Sequence, residues 1–88
     1  MGKRILIIED EENIAKVLSL NLSLNSYDVY IAETAESGLK MVYDLKPDLL
    51  LLDIRLDHVN GLDICRKIKS DLSLKYIYVI VLLKNYLK

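Results

Sequence analysis

The chain has 88 residues, enough for one small domain, and is 52% hydrophobic and 28% charged, which argues against disorder and against a membrane-embedded chain. Its net charge of −1 lacks the basic excess of a nucleic-acid-binding chain, and its longest apolar run, residues 79 to 83, is too short to span a bilayer. With a single cysteine, Cys65, and no apolar leader after Met1, we expect a cytoplasmic domain.

The first half of the chain predicts two strands and two helices. Residues 4 to 8 are a nearly continuous apolar run, typical of a central strand in a parallel sheet. The next apolar residues recur at helical spacing: Ile14, Val17, Leu18, Leu20, Leu22 and Leu24. Residues 28 to 32 predict a strand nearer the sheet edge, and Thr34 is a candidate N-cap of a second helix that ends before Pro47. Gly38 inside that helix costs about 1 kcal/mol relative to alanine, so we expect close packing there.

The second half predicts two further strands around a third helix. Residues 48 to 53 read as a strand buried on both faces, which ends in Asp53. Residues 54 to 60 predict a loop, and Asn60 is able to cap the third helix. The apolar residues of that helix are expected to be Leu62, Cys65, Ile68 and Leu72. Residues 76 to 83 predict the fourth strand.

The alternation of strands and helices predicts an α/β fold with a doubly wound parallel sheet and right-handed crossovers. In such a sheet, the carboxyl ends of the strands gather where the strand order reverses. The first strand ends in Glu9 and Asp10, and the third ends in Asp53. If these strands are neighbours, their carboxylates meet in one crevice. The alternative is that each acid meets water or caps the helix that follows it.

Carboxylates held this close repel one another, and a divalent cation would remove that conflict. Hard oxygen ligands, few in number and with room left for water and phosphate, are typical of Mg²⁺. With the charge compensated, one carboxylate is available as a nucleophile toward a phosphoryl group.

Four segments carry a resemblance to a known family: RILIIEDEENI, GLK in the second helix, KPDLLLLDIRL and NGLDICRKIK. Together they resemble the receiver domain of two-component response regulators, from Lys3 to about Leu82. The resemblance implies a flavodoxin-like receiver fold that is incomplete here, with four strands in the order 2-1-3-4 and three helices. It also implies a role in a bacterial phosphorelay rather than as an enzyme.

The resemblance assigns roles to individual residues. Asp53 would accept a phosphoryl group from a sensor histidine kinase or a phosphotransfer protein. Glu9, Asp10 and Asp53 would hold Mg²⁺, and Arg55 would add its backbone carbonyl to the metal. Gly61 would shape the loop that follows the acceptor.

The sequence also departs from the family pattern. Asp57 stands where the family usually has proline, and Leu83 stands where it has threonine or serine. The lysine that the family carries after a fifth strand is missing, so we interpret residues 1 to 88 as a single truncated receiver domain. These departures keep open an alternative, a non-switching remnant that serves as a docking or dimerisation module. The uncharged strand over residues 76 to 83 predicts self-association, and we expect neither a nucleic-acid nor a membrane partner.

Two other classes fit less well. A nucleotide-binding or flavodoxin-type domain needs a phosphate-binding loop after the first strand, but that loop reads EDEEN, which is acidic and lacks glycine. A phosphatase of the haloacid-dehalogenase kind needs a second aspartate two residues after the nucleophile, where this chain has Arg55.

Overall fold

A parallel sheet of four strands forms the centre of the fold, in a computed structural model that describes residues 2 to 56 and 59 to 83. The elements are β1 (Arg4–Ile8), α1 (Glu12–Leu24), β2 (Asp28–Ala32), α2 (Ala35–Leu45), β3 (Leu49–Asp53), β4 (Arg55–Leu56), β5 (Val59–Asn60), α3 (Gly61–Lys69) and β6 (Tyr78–Leu82). The strand order is β2-β1-β3-β6, which confirms the predicted α/β fold and its order. β3 is therefore paired on both sides, by β1 and by β6.

The two faces of the sheet pack against different helices because successive side chains of a strand point to opposite faces. Leu6 and Leu50 belong to the larger hydrophobic cluster, which also contains Val42 of α2 and the α3 residues Ile64 and Ile68. The intervening residues Ile5, Ile7 and Leu51 form a second cluster, against which Leu18 and Leu22 of α1 pack. Each fully buried Leu or Ile contributes about 1.5–3 kcal/mol of transfer free energy, so β1 and β3 anchor the fold.

Two helices begin at side-chain caps that the sequence predicted. The hydroxyl of Thr34 accepts a hydrogen bond of 3.0 Å from the amide of Ser37, and α2 follows directly. The side-chain carbonyl of Asn60 accepts a bond of 2.8 Å from the amide of Leu62 at the start of α3. Each cap satisfies an amide that has no partner within its helix.

Gly38 lies where α2 crosses β1, as its place inside a helix had indicated. A Cβ added at Gly38 would lie 2.4 Å from Cδ1 of Ile8. The absent side chain therefore lets the helix approach the sheet closely, which confirms the predicted reason for this glycine.

The third helix and the chain after it differ from the prediction. The inward residues of α3 are Ile64 and Ile68, and the helix ends at Lys69. Leu72, which the periodicity placed on the helix, is 84% exposed. Leu74 and Ile77 fill the core instead, from a run of turns that precedes β6.

The predicted loop over residues 54 to 60 contains two short strands, β4 and β5, which pair antiparallel.

Three apolar residues of α1 that were predicted as part of one stripe, Val17, Leu20 and Leu24, are exposed. Only one side of α1 can contact the sheet, and the apolar residues of this helix spread over a wider arc than that side. Among residues 2 to 56 and 59 to 83, no helix combines the length and the apolar character needed to cross a bilayer.

Candidate functional site

Three carboxylates meet at the carboxyl ends of β1 and β3. The two strands are parallel neighbours in register, with Ile8 beside Leu52, so the residues that follow them come side by side. Glu9, Asp10 and Asp53 each offer an oxygen, and these oxygens all lie within 4.8 Å of one another. The sequence predicted this convergence on the condition that the first and third strands are neighbours, and they are.

Two of the three acids are buried. Glu9 and Asp53 are each 1% exposed, whereas Asp10 faces solvent. Removing a carboxylate from water is costly unless hydrogen bonds or opposite charges compensate for it. The amide of Glu11 donates to Oε2 of Glu9 at 3.0 Å, and the amide of Arg55 donates to Oδ1 of Asp53 at 3.1 Å. Both bonds come from the turn directly after the strand, so the local backbone orients each carboxylate.

Gly61 abuts the end of β3. Its amide donates to the carbonyl of Ile54 at 2.7 Å, and an added Cβ would lie 2.3 Å from the carbonyl oxygen of Asp53. Any side chain here would push the start of α3 away from the end of β3. The resemblance implied that Gly61 shapes the loop, and this close approach is the physical reason for a glycine at that position.

The other side of the site is bounded by the end of β6. The amide of Ile54 donates to the carbonyl of Leu82 at 3.0 Å, which ties the turn after β3 to β6. Leu83 follows immediately and is exposed, and its side chain has no hydroxyl to offer. Asp57, the other departure from the family pattern, lies outside the described residues. A metal contact through the carbonyl of Arg55 stays a prediction.

The site has the donor chemistry of a magnesium site. Carboxylate oxygens are hard ligands, and Mg²⁺ is usually held by one or two carboxylates together with water and phosphate oxygens. Oxygens of Glu9, Asp10 and Asp53 lie within 4.8 Å of one another, so the three residues form a group that could hold a metal ion. These residues therefore fit the cation that the resemblance implies.

A cavity of about 220 Å³ lies next to Glu9, and the pattern of the sequence does not predict it. It is lined by Glu9, Glu12, Ala15, Lys16, Ile31 and Glu33. The one available signal was the spacing of Glu12 and Lys16, which form an ion pair of 3.3 Å four residues apart on α1. Glu33 follows β2, and nothing in the linear sequence connects it with α1.

The fold and the three-carboxylate site define a receiver domain, and comparison with known proteins agrees. The sequence matches the family model of the response regulator receiver domain over residues 5 to 85. The chain belongs to this family. That membership sets aside the nucleotide-binding and phosphatase classes.

Individual relatives are similar to this chain over most of its length. The alkaline phosphatase synthesis transcriptional regulatory protein PhoP of Bacillus subtilis is 39% identical over 70 residues, which cover 80% of this chain and 29% of PhoP. The chain thus spans less than a third of that curated relative.

Two solved structures show the same fold. The signal receiver domain of a DNA-binding response regulator from Colwellia psychrerythraea 34H superposes with a TM-score of 0.88 at 30% identity, over 93% of this chain and 68% of that one. The N-terminal domain of a response regulator receiver protein from Methanoculleus marisnigri gives 0.84 at 29% identity, over 90% of this chain and 64% of that one.

Proposed function

We propose that this receiver domain accepts a phosphoryl group on Asp53 from a sensor histidine kinase or a phosphotransfer protein in the cytoplasm. The observation that carries the proposal is the buried carboxylate of Asp53 at the end of the central strand, with acidic oxygens of Glu9 and Asp10 within 4.8 Å. In the same proposal, Glu9, Asp10, Asp53 and the carbonyl of Arg55 hold Mg²⁺, and residues 1 to 88 act as one domain.

The chemistry follows from the position of Asp53. One of its carboxylate oxygens forms a bond to phosphorus while the phosphorus–nitrogen bond of the donor breaks, and the leaving imidazole takes up a proton. The amide of Arg55 holds the plane of the carboxylate through its bond to Oδ1. A bound Mg²⁺ would supply compensation for the charge on the phosphoryl oxygens. The domain is thereby a signalling element rather than a classical enzyme.

Intact-mass analysis tests the proposal. After incubation with acetyl phosphate and Mg²⁺, the wild-type chain should gain the mass of one phosphoryl group, and chelation of the metal should prevent the gain. Asp53→Asn should gain nothing. The matched control is Asp63→Asn, because Asp63 lies on α3, pairs with Arg66 and is exposed. An unmodified wild type, or a modified Asp53→Asn chain, would refute the proposal.

A second candidate function is supported by a separate observation. Within the part of the chain that the structure describes, β6 pairs only with β3, so its other edge faces outward. Tyr78 and Ile80 of β6 are 77% and 48% exposed. An uncharged strand at a sheet edge is a template for pairing with another chain. We therefore also propose that a chain of these 88 residues self-associates along β6, as a docking or dimerisation module.

A further inference from the structure

Glu9 belongs to the three-carboxylate site and also lines a cavity beside it. Glu9 lines the cavity, and its carboxylate lies within 4.8 Å of oxygens of Asp10 and Asp53. The cavity volume of about 220 Å³ exceeds the roughly 30 Å³ that one water molecule occupies in the liquid. Water therefore has room beside Glu9, a residue that also belongs to the candidate cation site.

The remaining charges of the cavity wall are of both signs. Glu12 and Glu33 are acidic, and Lys16 is basic. Lys16 pairs with Glu12 at 3.3 Å, but both side chains are mostly exposed. An exposed pair of this kind is weak, so it fixes the position of the ammonium group only loosely. Lys16 lines the same cavity as Glu9, and its positive charge would oppose a cation held at Glu9.

We propose that Lys16 and Glu33 set how tightly the carboxylate site holds its divalent cation, Lys16 by weakening the binding and Glu33 by strengthening it. This inference rests on the metal site of the proposed function. Mg²⁺ gives up its water ligands reluctantly and keeps several of them. Glu33 lines the cavity, and its negative charge would attract a hydrated ion held beside it. Neither residue needs to touch the metal for these effects.

The expected changes in cation affinity are moderate because the space between these charges and the ion is partly aqueous. A single unit charge near a divalent ion changes its affinity by about threefold in dilute salt, and added salt reduces the effect. Lys16→Gln should therefore bind Mn²⁺ about threefold more tightly than wild type. Glu33→Gln should bind it about threefold more weakly, and the double variant should return close to the wild-type affinity.

The test is a titration of Mn²⁺ into the whole chain, with the free ion measured by electron paramagnetic resonance at low salt. Matched controls carry the same change in net charge far from the site. The controls are Lys75→Gln and Asp44→Asn. Lys75 lies in the turns that lead into β6, and Asp44 lies near the end of α2, shortly before β3 begins. Both positions are therefore toward the starting ends of the strands, whereas Glu9 follows the carboxyl end of β1. Each control should match the wild-type affinity.

The outcomes separate the two proposals. If the wild type binds no Mn²⁺, the metal site and the inference both fail. If the wild type binds Mn²⁺ but Lys16→Gln and Lys75→Gln behave alike, the metal site stands and the inference is overturned. Opposite shifts for the variants at positions 16 and 33, with unchanged controls, support the inference.

Discussion

At Gly61, a single methyl group would meet the backbone at the end of β3. The added Cβ would lie 2.3 Å from the carbonyl oxygen of Asp53 and 2.9 Å from Cα of Ile54. Backbone atoms have no alternative rotamer, so the start of α3 and the end of β3 must separate. We expect Gly61→Ala to lower the free energy of unfolding by about 1–3 kcal/mol, as overpacking typically does. Urea unfolding measures this loss, and Mn²⁺ binding should weaken with it.

Gly38→Ala is the matched control for that prediction. Its nearest contacts are side-chain atoms of Ile8, which are able to shift, and alanine gains about 1 kcal/mol of helix propensity over glycine. We expect a smaller loss of stability and an unchanged affinity for Mn²⁺. Equal losses in the two variants would contradict the role given to the backbone contact of Gly61.

A second prediction concerns Asp71, a residue far from the site in sequence. The hydroxyl and the amide of Ser73 donate to Oδ1 of Asp71 at 2.7 and 2.9 Å. These bonds, with a lesser one from the hydroxyl of Tyr43, hold the pKa of Asp71 below its usual value. A lowered pKa stabilises the fold above the unfolded-state pKa, and this stabilisation is lost as pH falls through the folded-state pKa.

Ser73→Ala should therefore raise the pKa of Asp71, which a carboxyl NMR titration measures. It should also lower the urea midpoint at neutral pH, and the difference from wild type should shrink as the solution becomes acidic enough to protonate Asp71. Ser23→Ala, at an exposed position of α1, serves as the control. A difference between Ser73→Ala and wild type that is independent of pH would show that the lost interaction is not with the charged carboxylate.

At the scale of elements, β6 is the strand that the turn after Asp53 contacts, through the bond from the amide of Ile54 to the carbonyl of Leu82. A ligand shifts a conformational equilibrium only through contacts that differ between the two states. Leu83, directly after β6, has no hydroxyl with which to contact a phosphoryl group. We expect beryllofluoride, a phosphoryl mimic, to change amide chemical shifts around residues 9, 10 and 53 but to leave those of β6 little changed.

Leu83→Thr supplies the comparison, because it adds the missing hydroxyl at the same place. In that variant, beryllofluoride should produce larger shifts along β6 than in the wild type. Large shifts over Tyr78–Leu82 in the wild-type chain would show that the hydroxyl is dispensable for coupling.

The elements that the sequence predicted well are those whose signals are local. The strand β2 has its predicted bounds, and the caps at Thr34 and Asn60 act within three residues of their own position. The end of α3, in contrast, depends on contacts with residues that lie outside the helix. The ammonium of Lys69 donates to the carbonyls of Lys75 and Ile77, which ties down the turns after the helix. The periodicity of apolar residues in the helix does not predict these hydrogen bonds.

The same distinction applies to the site. The meeting of Glu9, Asp10 and Asp53 was predictable because strand order alone brings the ends of β1 and β3 together. The hairpin of β4 and β5 was not, since strands of two residues have no alternation to detect. The cavity beside Glu9 was also missed, because Lys16 and Glu33 come from elements that meet only in the folded chain.

At the scale of the whole molecule, the proposed self-association concerns the outer edge of β6. Two copies related by a twofold axis would pair β6 with β6 antiparallel, and would join two four-stranded sheets into one. We expect the 88-residue chain to sediment as more than a monomer at micromolar concentration. Ile80→Lys should weaken this association at least tenfold, because it places a charge on the pairing strand.

Leu72→Lys is the control for that experiment, since Leu72 is the most exposed large apolar residue in the described ranges and lies outside the sheet. This variant should associate as the wild type does. A folded wild type that remains monomeric, or two variants that dissociate equally, would exclude pairing along β6.

The strand order also has a consequence for how the molecule forms. Arg4 and Asp48, at the starting ends of β1 and β3, share a hydrogen bond across 44 residues of chain. Contacts so distant in sequence require long loops to close, so folding is expected to be slower than in a helical domain of equal size. During synthesis, Glu9 and Asp10 are made before Asp53, so the three carboxylates cannot meet until β3 has been made. The candidate cation site forms with the sheet, and a cation bound there would favour the folded chain by mass action.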